Sequence, residues 1–379
     1  MARIGDVGKV VTGNTPKTSD TQNYASNDIC FVKPSDIADG TVSYLDDTEF
    51  YISEYARTKA RVLPPKSVLV TCIGIIGKVA INNVECAFNQ QINAIIPDDS
   101  KCLTEYLAYA IQNKQPEMQD VANAPVVPIL NKTQFSDIEI NLPSLTEQEE
   151  IVEKLNVVSR LIALRKEQLS KLDQLVKSRF IELFGDYDLT HAQDDWKAIS
   201  EIGKVVGGAT PKTNVVDYWD GEYRWITPAE LSADSGYIYD SIRKLTKAGV
   251  DSCSLQEMPA NTVILSSRAP IGKVAIAGNT FYCNQGFKNI ICNSEVLPRY
   301  LYTVLLLNTE YLNSLGRGAT FKEISKSIVE NIKIPVPSLE LQEQFAAFVE
   351  QTDKSKLAIQ RSLDKLELLK KSLMQEYFG

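Results

Sequence analysis

The chain has 379 residues, 44% of them hydrophobic and 23% charged, with 19 glycines and 16 prolines. That exceeds what one core of ordinary size holds, so about two domains are expected, while bulk disorder and collagen-like structure are excluded. A net charge of −8 argues against indiscriminate nucleic-acid binding but leaves room for a basic patch on one face. No apolar run approaches the roughly 18 residues of a membrane span, and the opening Met1-Ala2-Arg3-Ile4-Gly5 lacks a signal-peptide core. A soluble, cytoplasmic chain with no membrane partner is expected.

Residues 1–142 alternate short β-branched runs, such as residues 67–71, with Gly, Pro and Asn punctuation, the pattern of a mixed α/β globule. A helix is predicted near 104–113. Residues 143–185 then read as a long helix of about 38 residues, opened by Pro143-Ser144-Leu145 and a Glu/Gln-rich first turn. Ile151, Leu155, Val158, Ile162, Leu169, Leu172, Val176 and Leu183 fall on alternating four- and three-residue steps, a heptad seam. Residues 186–195 are an acidic linker in which His191, the single histidine, reads as solvated.

The second half repeats the first. Residues 4–18 (IGDVGKVVTGNTPKT) return as 199–213 (ISEIGKVVGGATPKT), IGKVAI at 76–81 returns at 271–276, and Asn89-Gln90 returns as Asn284-Gln285. Residues 196–336 are therefore a second mixed globule with a helix near 298–308. Residues 337–379 are a second long helix whose seam runs through Phe345, Val349, Ile359, Leu363, Leu366, Leu373 and Tyr377. Phe184-Gly185 and Phe378-Gly379 close the two units alike. Helices this long are unsupported alone in water. The expected fold is α+β: two globules and two long helices forming an antiparallel coiled coil with an internal pseudo-twofold repeat. Basic seam positions, Arg165, Arg179, Lys356 and Lys370, are expected either to snorkel or to fix register.

Two unlike heads on a rod suit a bipartite duplex. Phosphates look the same at both sites and call for shared basic residues, whereas base edges differ and call for divergent loops. The shared set includes Lys9, Lys78 and Lys132, which return as Lys204, Lys273 and Lys326. The turns at 13–18 and 208–213 add Thr15, Lys17 and Thr18, and Thr210, Lys212 and Thr213, on a flexible glycine that permits close approach to phosphate. Asn89, Gln90 and Gln91, with Asn284 and Gln285, offer amides able to read adenine or to close their own turn. Lys33 joins the candidate set. Arg268, standing where the first half has Ile73, is the preferred guanine or phosphate contact of the second head.

At these motifs the chain resembles the specificity subunits of type I restriction-modification systems, over nearly its whole length. The resemblance implies that each globule is a target recognition domain for one half of a bipartite, non-palindromic double-stranded DNA site, and that the helices set the gap. It implies two adenine-N6 methyltransferase (modification) subunits and ATP-dependent restriction/translocase subunits as partners. Those partners would carry S-adenosylmethionine, ATP and magnesium, with no cofactor in this chain.

The residues themselves offer no chemistry. Residues 74–78 (GIIGK) are too short for a P-loop, and Pro97-Asp98-Asp99-Ser100-Lys101 resembles a metal site that has no repeat partner. The seven cysteines form no C-x-x-C pair and are expected as unpaired thiols rather than zinc ligands. No segment of Asn-Pro-Pro-Tyr type exists to hold a flipped adenine. A non-catalytic recognition subunit is the leading reading. The alternatives are a specificity subunit of a related system with a fused methyltransferase/nuclease partner, and a protein-interaction scaffold that binds no DNA.

Overall fold

The structure is a computed structural model that describes residues 1–122, 127–231, 236–268, 270–317 and 322–379. Two compact units emerge, one of Met1–Glu167 with Gln360–Gly379 and one of Gln168–Ile359. Each holds a head together with segments of both long helices, Leu145–Phe184 and Leu339–Phe378.

In the first unit a five-stranded sheet runs in the order Gly8–Thr12, Ile92–Pro97, Val68–Thr71, Val79–Asn82, Val42–Leu45. A four-stranded sheet orders Tyr51–Ile52, Ile29–Val32, Cys86–Phe88 and Val62–Leu63. The second unit repeats the larger sheet with Gly203–Gly207, Lys288–Cys292, Val263–Leu265, Val274–Ala277 and Tyr237–Ile238. Its smaller sheet has three strands, Arg243–Leu245, Trp219–Ile226 and Tyr282–Cys283. The predicted short helices lie at Thr104–Asn113 and Pro298–Leu307. They pack on the larger sheets, burying Tyr106, Leu107 and Ile111 in the first head and Tyr300, Leu301 and Leu305 in the second.

The repeated Pro-Ser-Leu-x-x-Gln segments have a structural cause. Gln148 is fully buried, accepts from Leu103 N and donates to Lys101 O and Pro143 O at 2.9–3.0 Å. Gln342 makes the same three bonds to Leu297, Glu295 and Pro337. A buried amide with all partners satisfied costs little, so it clasps the helix start to its head.

Within each unit the two long helices run antiparallel. In the first, Lys154 meets Tyr377 and Lys166 pairs with Glu367 at 3.0 Å. In the second, Lys356 pairs with Asp173, and the Phe180 and Phe345 rings lie 5.4 Å apart. Phe378 docks on Tyr106 of the first head at 5.2 Å, as Phe184 docks on Tyr300 of the second at 5.0 Å. The basic seam positions pack rather than dangle. Arg179 pairs with Glu182 and overlies the Phe348 ring, and burial lowers the Lys370 ammonium below the usual lysine range.

Candidate nucleic-acid interface

In the first head three loops are tied into one surface. Gly13 N donates to Ile92 O and Asn14 N to Phe88 O, both at 3.0 Å, while Asn89 N donates to Val32 O at 3.2 Å. Thr15 Oγ1 then donates to Gln90 Oε1 at 2.7 Å. Only glycine fits at 13, since a Cβ there would lie 2.0 Å from Asn89 O.

The second head repeats this assembly. Ala209 N donates to Cys283 O at 3.0 Å and Asn284 N to Ile226 O at 3.2 Å, while Thr210 Oγ1 reaches Gln285 Oε1 at 2.6 Å. A Cβ on Gly208 would lie 2.0 Å from Cys283 O. Lys17, Thr18, Lys212 and Thr213 are exposed on the two rims.

The supports beneath the rims differ, and sequence reasoning missed them. In the first head Tyr24 Oη donates to Pro16 O at 2.7 Å and Asn23 Nδ2 to Lys17 O at 3.0 Å. In the second, Trp225 Nε1 donates to Ala209 O at 3.1 Å and Trp219 Nε1 to Lys212 O at 3.3 Å. The Arg243 guanidinium stacks 3.5 Å from the Trp219 ring centroid. Two of the chain's three tryptophans in one non-repeating stretch, 218–225, were the available signal.

Several predicted contacts have other occupations. Asn89 is buried, with Oδ1 accepting from Gln91 N at 3.0 Å and Nδ2 donating to Gln91 Oε1 at 2.9 Å. Asn284 Oδ1 accepts from Gly286 N at 2.9 Å. These bonds close the turns at Asn89–Gln91 and Asn284–Gly286, the second of the two roles the sequence offers these amides. Gln90 and Gln285 remain exposed on the rim.

Lys33 lies over the Phe50 ring, 2.9 Å from its centroid. Lys78 and Lys273 are half-buried, their ammonium groups donating to backbone carbonyls. Arg268 pairs with Glu323 at 3.0 Å, and Glu323 also takes Lys288 at 3.2 Å. Burial alone would raise the Glu323 carboxyl, but the two cations hold it below the usual range. Arg268, about half exposed, is thus one of three members of an ion network with Glu323 and Lys288. Lys132 is exposed and, with Lys9 and Arg61, lines a groove of about 680 Å³ in the first head. Exposed Lys326 pairs with Glu330 at 3.5 Å.

Asp98 is engaged by Ser100 and Lys101, and exposed His191 by Asp188 at 2.9 Å. Among the described residues no group of three or more His, Cys, Asp or Glu is placed to hold a metal ion, and no helix is long and apolar enough to cross a membrane.

The two heads thus repeat one rim, with a threonine–glutamine tie and an exposed lysine at matching places. The family profile described as "Type I restriction modification DNA specificity domain" matches residues 1–174 and 193–369, and the chain belongs to this family of type I specificity subunits. It is 42% identical over 185 residues to the MjaIX type I specificity subunit of Methanocaldococcus jannaschii, covering 47% of this chain and 43% of that relative. Against the EcoR124I/EcoR124II specificity subunit of Escherichia coli it is 26% identical over 273 residues, covering 68% and 65%. The matched regions thus span less than two thirds of either relative. The fold is similar to the type I S subunit of M. genitalium, with a TM-score of 0.59 at 14% identity over 100% of this chain and 95% of that one. A chain from a study of type I complex assembly and conformational transition gives 0.60 at 18% identity, covering 99% and 96%.

Proposed function

We propose that the chain is the non-catalytic, sequence-reading subunit of its complex, with 1–142 and 196–336 each reading one half of a bipartite, non-palindromic duplex site. The observation that carries this is the paired rim: the same threonine–glutamine tie and exposed lysine in both heads, on unlike supports. Shared rims suit phosphates and unlike surroundings suit different bases. The helices act as a spacer. At about 1.5 Å per residue, a 40-residue helix is roughly 60 Å long, a ceiling of on the order of 17 base pairs between half-sites.

The partners in this reading are two adenine-N6 methyltransferase subunits and ATP-dependent restriction/translocase subunits. S-adenosylmethionine, ATP and magnesium belong to those partners. The test is methylation-site mapping with the full chain and its modification subunits, repeated after inserting four residues into the first long helix. Both half-sites should persist with a longer gap, and an unaltered gap removes the spacer role. Duplex affinity that is flat against salt removes DNA reading altogether.

A further inference from the structure

We propose that Lys78 and Lys273 are positioning residues that anchor a variable turn beside each recognition rim, rather than phosphate contacts. The proposal rests on the DNA-reading function above. In both heads the lysine follows a glycine at positive φ, 85° at Gly77 and 86° at Gly272, in the loop of a hairpin of the larger sheet. Its own amide is fixed by a hydroxyl. Lys78 N donates to Thr71 Oγ1 at 3.0 Å and Lys273 N to Ser266 Oγ at 2.9 Å.

The ammonium then reaches the turn that follows a strand of the smaller sheet. Lys78 Nζ donates to Ile37 O at 3.0 Å and Pro34 O at 3.5 Å, and Lys273 Nζ to Leu231 O at 2.5 Å and Pro228 O at 3.5 Å. These carbonyls belong to the helical turns Pro34–Asp36 and Pro228–Glu230 and the residues just after them. The strands leading into those turns end at Val32 and Ile226, whose carbonyls accept from Asn89 N and Asn284 N of the rim. The lysine therefore fixes, through backbone alone, the turn next to the rim.

Backbone recognition explains what is kept and what varies. A carbonyl is the same whatever side chain its residue carries, so Lys33-Pro34-Ser35-Asp36 and Thr227-Pro228-Ala229-Glu230 can differ while the proline, the closing carboxylate and the anchoring lysine persist. Lys33 N donates to Asp36 Oδ2 at 2.7 Å and Thr227 N to Glu230 Oε1 at 2.8 Å, closing both turns alike. Two of the three ammonium donors are spent internally, which leaves a poor phosphate ligand.

The experiment is Lys273→Met in the full chain, assembled with its modification subunits for DNA work and alone for amide exchange. Expected are a roughly tenfold weaker specific complex with discrimination lost only at the second half-site, and a salt slope equal to that of the unmodified chain. Exchange at Glu230 and Leu231 should be at least about tenfold faster without DNA, because the turn has lost its anchor. A slope shallower by about 0.9 with equal loss on all sequences and unchanged exchange would overturn the proposal. So would a variant indistinguishable from the parent. Should Lys273→Met not fold, Lys273→Arg decides: its planar fork is expected to displace the turn and cost second-site discrimination at constant slope, and parental discrimination with parental exchange overturns the idea. If the parent's affinity is itself flat against salt, DNA reading fails while the exchange result still tests the anchor.

Discussion

The first and second heads share a scaffold and diverge directly beneath the rim. In one, a phenol and an amide from Asn23 and Tyr24 carry the loop carbonyls; in the other, two indoles do so, one of them stacked on Arg243. Both solutions deliver a donor to a backbone oxygen, so the loop conformation survives while everything around it changes. Rim geometry is therefore a backbone property that unlike side chains can support, leaving the neighbouring surface free to diversify.

The strongest way to break this equivalence is to remove an indole. Trp225 is 2% exposed, and Trp225→Ala should cost the second head about 3–5 kcal/mol through lost packing, an opened cavity and an orphaned Ala209 carbonyl. Tyr24→Phe, which removes one hydrogen bond and little volume, should cost the first head only about 1 kcal/mol. Thermal melts of the two variants should show that ordering, and equal shifts would contradict the supports as drawn.

Next come the glycines. Gly13→Ala and Gly208→Ala each force a methyl against a backbone carbonyl that cannot rotate aside, so each should cost about 2–3 kcal/mol. Methylation mapping should show one half-site degraded per variant and the other intact. Loss of both half-sites from either substitution would show that the heads do not read independently.

A smaller effect sharpens the likeness rather than the difference. Lys17→Ala and Lys212→Ala remove exposed rim cations and should each shallow the slope of log affinity against log salt by about 0.9, equally for all sequences. An effect confined to one base pair would assign these lysines to base reading instead.

The repeat, both long helices and the rim turns were legible in the sequence because periodicity and repetition are properties of order along the chain. The destination of a polar side chain is not. Lys17 and Lys78 both recur, yet one is exposed and the other spends its ammonium on Pro34 and Ile37 carbonyls. Asn89 recurs as Asn284 with its Oδ1 closing the same turn, onto Gln91 N in one head and Gly286 N in the other. Trp219 and Trp225 have no counterpart of like residue type in the first half, so repetition gives no sign of them, although Trp219 supports the Lys212 carbonyl as Asn23 supports that of Lys17.

The smallest contrast lies at one β-bridge. Ile73 faces Ile129 in the first head, and Arg268 faces Glu323 at the corresponding bridge of the second. An apolar bridge is indifferent to pH, whereas the ionic one is not. The Glu323 carboxyl is depressed in the folded state, so its contribution is full above the unfolded value of about 4.3 and is lost as pH falls through the lower folded one. The pair is about one-third to one-half exposed, which limits the effect to about 1 kcal/mol. Glu323→Gln should therefore lower second-head stability slightly at neutral pH and flatten its acid dependence below about pH 5. Converting the bridge to isoleucines requires a third change. Lys288 is 13% exposed and would lose its carboxylate, whereas the first head has Asn93 in its place, donating to Leu130 O at 3.1 Å. The triple variant Arg268→Ile, Glu323→Ile, Lys288→Asn should be more stable than the double one without Lys288→Asn, and the reverse order would show that Lys288 is held by Ser267 alone.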